Sequence, residues 1–255
     1  MLLTIVASAI VISLSSLVGI FALSLRERTL HGILFVLVAF SAGTILGTAY
    51  LDLLPESMKL IDTSSVFAHV TVGFVLFFFL ERFIYWYHGH GHEADLSSEV
   101  GDRATSRSFA YLNLVGDGIH NFVDGMVLAA SYLTGFSIGL AATVAIIFHE
   151  LPQEMGDYGI LVYMGFERGK ALLLNFAAAF TVVLGGILGV IFIEAVEALS
   201  GLLIAYSAGG FIYLAASELI PELHKERDFR RSVVQFLVFL LGICLIWTLG
   251  AIFPD

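Results

Sequence analysis

Two short runs of polar residues lie in otherwise apolar surroundings. The first holds Asn113, Asp117, His120, Asn121 and Asp124, at relative positions 0, 4, 7, 8 and 11. That spacing brings all five to one face of a helix. The second holds His149, Glu150, Gln153, Glu154 and Asp157, at 0, 1, 4, 5 and 8, again on one face. Imidazole, carboxylate and amide oxygen without thiolate suit Zn²⁺, Fe²⁺, Mn²⁺ or Cd²⁺ as bound ions. His120 with Asp124, and His149 with Gln153, are i, i+4 pairs that can converge on one ion. Asn121, Asp124 and Glu150 could serve a second ion nearby. Glu154 shares their stripe, and Asp117 and Asp157 extend it along a path. Pro152 removes one helical hydrogen bond and frees the carbonyl of Phe148, which is expected to open the helix beside the site. The single cysteine, Cys244, excludes an internal disulfide and a thiolate cluster.

The elements that carry these stripes set their depth. Gly135 falls between them, 15 residues after His120 and 14 before His149. At 1.5 Å per residue both histidines lie roughly 21–22 Å from that turn, so antiparallel helices bring them level. Five acids, Asp117, Asp124, Glu150, Glu154 and Asp157, share the two stripes with no Lys or Arg. In a hydrocarbon layer of about 30 Å such groups are costly unless paired, hydrated or metal-bound. A divalent cation is the simplest counter-charge. The alternative is a structural polar network that joins the two helices, and the cost of burying so many acids favours the metal.

The chain as a whole is built for that setting. Of 255 residues 58% are hydrophobic and 13% charged, and the mean hydropathy is +0.94. A soluble domain carries about a quarter charged residues. Apolar runs long enough to cross a bilayer fall at about 2–25, 30–54, 66–87, 108–133, 136–165, 170–193, 199–221 and 232–253. The expected fold is therefore all-α, with eight transmembrane helices in one domain spanning 1–255. The first run is read as a retained helix rather than a signal peptide. The lipid bilayer is the expected partner, and no nucleic acid is. The longest polar connection, 88–107, carries His88, His90 and His92, which could collect metal. Eleven of the twelve basic residues fall at alternate connections, and only Lys59 lies on the other side. This places 88–107 in the cytoplasm and both termini outside. The compact chain points to a plasma membrane, specifically a bacterial inner one.

Two runs repeat a pattern. Ser41-Ala42-Gly43 precedes Asp52-Leu53-Leu54-Pro55-Glu56, and Ser207-Ala208-Gly209 precedes Glu218-Leu219-Ile220-Pro221-Glu222, offset by 166 throughout. The two runs cross in opposite directions. Runs 1–3 and 6–8 are therefore expected to be inverted repeats around runs 4 and 5, a 3+2+3 arrangement typical of secondary transporters. Asp52 would then lie on the outer metal path, and Glu218 and Glu222 on the inner one. Gly185 and Gly189 form a G-x-x-x-G packing face in run 6.

At His120-Asn121-Phe122-Val123-Asp124-Gly125 and at His149-Glu150-Leu151-Pro152-Gln153-Glu154-Met155-Gly156-Asp157 the sequence resembles the Zrt/Irt-like (ZIP) family of divalent metal transporters. The resemblance covers essentially the whole chain. It implies one or two metals between runs 4 and 5, import toward the cytoplasm, homodimers, and movement of runs 1, 4, 5 and 6 against 2, 3, 7 and 8. It also implies that His120, Asp124, His149 and the Gln153 position line the primary site, and Asn121 and Glu150 the secondary one. Many relatives have His at the position of Gln153. Some add a run-6 acid, where this chain offers Asn175 and then Glu194. A different class, an intramembrane metal-dependent hydrolase, is suggested by His149-Glu150 as the start of H-E-x-x-H. Gln153 replaces its second His, which disfavours that reading. No catalytic residue or resident cofactor is expected; the ion is the cargo.

Overall fold

A computed structural model describes residues 1–19, 27–87, 103–195 and 199–253. Helix α1 (Leu2–Ser15) runs into a 3₁₀ turn, Ser16–Val18. Helix α2 (Glu27–Gly47) passes through a π-helical stretch, Thr48–Leu53, into α3 (Leu54–Leu60). Then come α4 (Thr63–Tyr87), α5 (Arg103–Thr134) and α6 (Phe136–Tyr163). Helices α7 (Arg168–Ala179) and α8 (Thr181–Ala195) are parted at Phe180. Helix α9 (Leu199–Leu214) enters a second π stretch, Ala215–Leu219, and then α10 (Ile220–Leu223). Helix α11 spans Phe229–Ile252. The described residues contain no strand.

Among the described residues, five stretches are long and apolar enough to cross a bilayer: Thr29–Leu60, Phe136–Tyr163, Arg168–Ile193, Gly201–Leu223 and Phe229–Ile252. Leu2–Val18 and the Thr63–Phe79 part of α4 are also apolar helix. Helix α5 has 32 residues but is not among the five, because the face from Asn113 to Asp124 dilutes its apolar content.

Local chemistry explains where the helices end and where they do not. Gly165 (φ 83°) follows α6 in the left-handed region. There Phe166 N–H bonds to Leu161 O and Gly165 N–H to Val162 O, closing the last turn. Asp62 caps α4, accepting from Ser64 Oγ at 2.6 Å and Ser65 N–H at 3.1 Å. The bond from the Ser64 side chain, followed by those from Ser65, lowers its carboxyl from 3.8 to about 2. A carboxyl held below its unfolded value supports the fold at higher pH, and this support fades as pH falls from 3.8 toward about 2. Pro55 and Pro221 do not end their helices, which continue to Leu60 and Leu223. Each proline sits in the first turn of a new α segment, where its missing N–H is no loss, just after a π stretch.

Packing is closest where glycine faces backbone. A Cβ on Gly125 would overlap the carbonyl oxygen of Val182, and one on Gly185 that of Phe122, so α5 and α8 touch main chain to main chain. The G-x-x-x-G of Gly185 and Gly189 is thus a packing face, as its pattern suggested. The same kind of contact joins α2 to α11 through Gly43 and Gly242, and α9 to α4 through Gly209 and Gly73. Gly125→Ala is expected to force α5 and α8 apart, at a cost of about 1–3 kcal/mol. A lowered melting temperature of the purified protein in detergent would be its signature.

Apolar side chains pack between the polar stripes and the Gly135 turn. Ile45, Ala49, Leu128, Ile146 and Phe211 are fully buried there. Among them, Tyr132 Oη is 2.9 Å from Ser8 Oγ of α1 and accepts from Thr143 Oγ1 of α6 at 3.1 Å, fastening three helices together.

Candidate metal centre

The helical period places both stripes on facing sides of α5 and α6, and the structure brings four of their side chains to one point. His149 Nε2 lies 2.9 Å from Asp124 Oδ2, 3.2 Å from Glu150 Oε1 and 3.4 Å from His120 Nε2. His120 Nε2 lies 3.4 Å from Glu150 Oε1 and 3.8 Å from Asp124 Oδ2. Donors around a tetrahedral ion with bonds of about 2.0–2.1 Å stand roughly 3.3 Å apart. The observed separations bracket that figure, so the donor set fits a first-row dication.

The tautomer of His149 also fits. Its Nδ1 is 3.1 Å from the Ala145 carbonyl oxygen, which can only accept. With the Nδ1 proton committed there, the neutral ring points a lone pair from Nε2 into the cluster. Both oxygens of Asp124 and both of Glu150 are buried, and with the imidazoles neutral and their Nε2 lone pairs turned inward none of the four receives a hydrogen bond. Buried carboxylate oxygens without donors are costly, and an ion at the shared point would offset that cost for all of them.

A second group shares Glu150. One carboxylate oxygen each from Asp117, Glu150 and Glu154 lie within 4.8 Å of one another. Asp117 Oδ1 accepts from Asn121 Nδ2 at 2.9 Å and Gln153 Nε2 at 3.3 Å, while Oδ2 has no donor. Glu154 accepts from Asn175 Nδ2 of α7. Gln153 and Asn121 thus direct their amide nitrogens to Asp117, and Glu150 completes the four-donor group in which spacing had put Gln153.

The remaining candidates lie elsewhere. Asp157 accepts from Asn113 Nδ2 at 2.7 Å. Asp52 lines a separate cavity of about 340 Å³ with Glu56, Lys59 and Trp247. Glu222 is half exposed and pairs with Lys225 at 2.5 Å. His88, His90, His92 and the Glu218 side chain lie outside the described residues. Three contacts were not singled out from the sequence: Asn175 on Glu154, the Phe211 ring on His149, and Ser41 on the Phe148 carbonyl. Pro152 does free that carbonyl, which Ser41 satisfies, but the helix does not open there: α6 runs on unbroken from Phe136 to Tyr163.

Among the described residues, the cavity that reaches the donors lies to one side of them. A cavity of about 450 Å³ reaches His120 and His149 and is lined by Asn113, Asp117, Asp157 and Leu219. Its lining comes from α5 only up to Val123 and from α6 only from His149 onward. Toward Gly135 the packed core closes the way.

Buried nitrogen and oxygen donors at metal spacing, inside a bundle of membrane-length helices and open to one end, define a class: an integral membrane transporter of divalent metal ions. The chain belongs to the ZIP zinc transporter family, which it matches over residues 1–106 and 86–250. It is 33% identical over 238 residues to zinc transporter ZIP13 of Pongo abelii, covering 86% of this chain and 67% of the relative. It is 30% identical over 306 residues to zinc transporter zipt-7.1 of Caenorhabditis briggsae, covering 92% and 76%. With zinc transporter YKE4 of Saccharomyces cerevisiae it shares 28% identity over 270 residues, covering 94% and 78%. These relatives are named as transporters, which disfavours the hydrolase reading. They are also eukaryotic, so they lend no support to a bacterial inner membrane.

Proposed function

We propose that the protein carries Zn²⁺ across the membrane into the cytoplasm by alternating access. The ion is held by His120, Asp124, His149 and Glu150, with Asp117, Glu150 and Glu154 as a second position. The observation that carries this reading is the four-donor cluster at the closed end of a one-sided cavity. The cavity opens at the end where α5 begins and α6 finishes. Arg168, Lys170, Lys225 and Arg227 lie at that end, which the positive-inside bias assigns to the cytoplasm. Asp157 with Asn113 would form the inner path and Asp52 the outer one. Fe²⁺, Mn²⁺ and Cd²⁺ share enough coordination chemistry to be tested as cargo.

Eight crossings in a 3+2+3 arrangement, with both termini outside, suit this mechanism. Helices α1, α2–α3, α4, α5, α6, α7–α8, α9–α10 and α11 would each cross once. Two features favour an inverted repeat. The π stretches Thr48–Leu53 and Ala215–Leu219 fall at matched positions. The glycine contacts of α2 with α11 mirror those of α9 with α4: Gly242 meets the Phe40 carbonyl and Gly73 that of Tyr206, 166 residues further on. A plasma membrane location and a homodimer complete the proposal, on the strength of the family resemblance.

The test is uptake by purified protein in liposomes, comparing Zn²⁺, Fe²⁺, Mn²⁺ and Cd²⁺. Saturable uptake with Zn²⁺ among the preferred ions is the expected result. Stepwise conductance, or no metal flux at all, would overturn the reading.

A further inference from the structure

Pro152 has no N–H, so the carbonyl of Phe148 loses the donor that a helix would supply. Ser41 of α2, fully buried, donates its hydroxyl to that oxygen across the helix interface. Beside this bond the Phe40 and Phe148 rings meet edge to face, centroids 4.5 Å apart. Phe148 immediately precedes His149. The bond therefore ties the metal-binding turn of α6 to α2 at the level of the ion.

The repeat supplies a comparison within the same chain. Ser207 stands 166 residues after Ser41, and its hydroxyl donates to the Leu203 carbonyl of its own helix at 2.7 Å. On α5, Ile119 precedes His120 as Phe148 precedes His149. Val123 stands where Pro152 stands in the other stripe and keeps its N–H, so the Ile119 carbonyl stays in the ladder of α5. Of the two matched serines, Ser41 donates to a carbonyl vacated by proline on another helix and Ser207 donates within its own helix.

We infer that Ser41 is a state-selecting positioning residue, whose hydrogen bond to the Phe148 carbonyl holds the conformation that opens at the Asn113–Asp157 end. This rests on the alternating-access reading above. To reach the ion from the Gly135 end, the core around Ile45, Ala49, Ile146 and Phe211 must part, and α6 must move against α2. A hydrogen bond across that interface weakens steeply with distance and angle and does not survive such a shift. Ser207 offers no compensating bond, so the preference is one-directional.

The test uses Zn²⁺ as the only probe and full-length protein in liposomes of known orientation, with apparent KM measured from each face. When only a fraction of the protein faces the ion, the apparent affinity is reduced by that fraction. Ser41→Ala is expected to lower KM at the Gly135 face about three- to tenfold. KM at the opposite face should stay within about twofold, because that state is already dominant. Pro152→Ala restores an N–H that can recapture the Phe148 carbonyl, so it should lower the same KM by itself. Adding Ser41→Ala to it should then change nothing further. A purely structural loss would weaken uptake from both faces and would add to the effect of Pro152→Ala. Intact saturable transport with an unmoved KM ratio, or additive effects of the two changes, overturns the latch alone. If Ser41→Ala does not fold, Pro152→Ala decides by itself: an unmoved or raised KM at the Gly135 face overturns the inference. Wild-type protein that shows no saturable uptake overturns the carrier reading and the latch with it.

Discussion

Liposomes carrying His149→Ala are expected to take up no Zn²⁺ above background, a loss of at least about 100-fold. Partners that merely orient a ligand are worth 10–100-fold in affinity, and His149 lies nearest the centre of the donor set. Its Nε2 is within 3.4 Å of Asp124, Glu150 and His120. The fold should survive. The ring makes a hydrogen bond to its own helix, through Nδ1 to the Ala145 carbonyl, and alanine is a good helix former. The lost volume adjoins an existing cavity. Gel-filtration profile and melting temperature in chelator should match wild type, while the stabilisation that Zn²⁺ confers on the wild type disappears. Wild-type uptake by this variant would remove the site assignment.

Much of this site was legible because helical period and membrane cost act on sequence directly. The stripes on α5 and α6 follow from spacing alone, and the level of His120 with His149 follows from counting residues to Gly135. The choice of the fourth donor does not follow. Spacing makes Gln153 the i, i+4 companion of His149, yet the facing helix holds an amide acceptor, Asp117 Oδ1, that draws Gln153 away. Glu150, one residue from His149, reaches the cluster instead, because α5 supplies His120 opposite it. Which rotamer a residue takes depends on what the neighbouring helix presents, and a single helix does not encode that. Asn175 went unassigned for the same reason: its bond to Glu154 depends on the register of α7 against α6.

The backbone shows a similar limit. Eight apolar runs were readable, but the break at Phe180 and the two π stretches were not. Thr181 explains the break locally, since its Oγ1 lies 2.7 Å from the Ala178 carbonyl and 2.6 Å from that of Gly118 on α5. A hydroxyl on that tertiary contact competes with the helix's own ladder. The terminal Gly125 of the His120 motif looks like part of a metal signature, yet it serves the approach of α8. Motif residues adjacent in sequence thus divide between chemistry and packing.

Glu150→Gln separates metal ligation from structural glue more sharply than any other change. Glu150 is the one acid shared by both groups, and its two oxygens are buried without a donor. Glutamine keeps the shape and removes the charge. If the cluster is a passing ion's counter-charge, Zn²⁺ uptake should fall about 100-fold, as for loss of a ligand. The metal-free protein should melt no lower than wild type, because a buried charge next to Asp117 and Glu154 has been removed. Glu154→Gln touches only the second group, is anchored by Asn175 and should cost uptake about tenfold or less. If the acids instead fasten α5 to α6, the order reverses: Glu150→Gln would lower the melting temperature in chelator and leave the uptake of the surviving protein near wild type. Sites shaped for function commonly cost stability. Opposite signs in the two measurements are therefore what a transport site predicts, and matching signs are what a strut predicts.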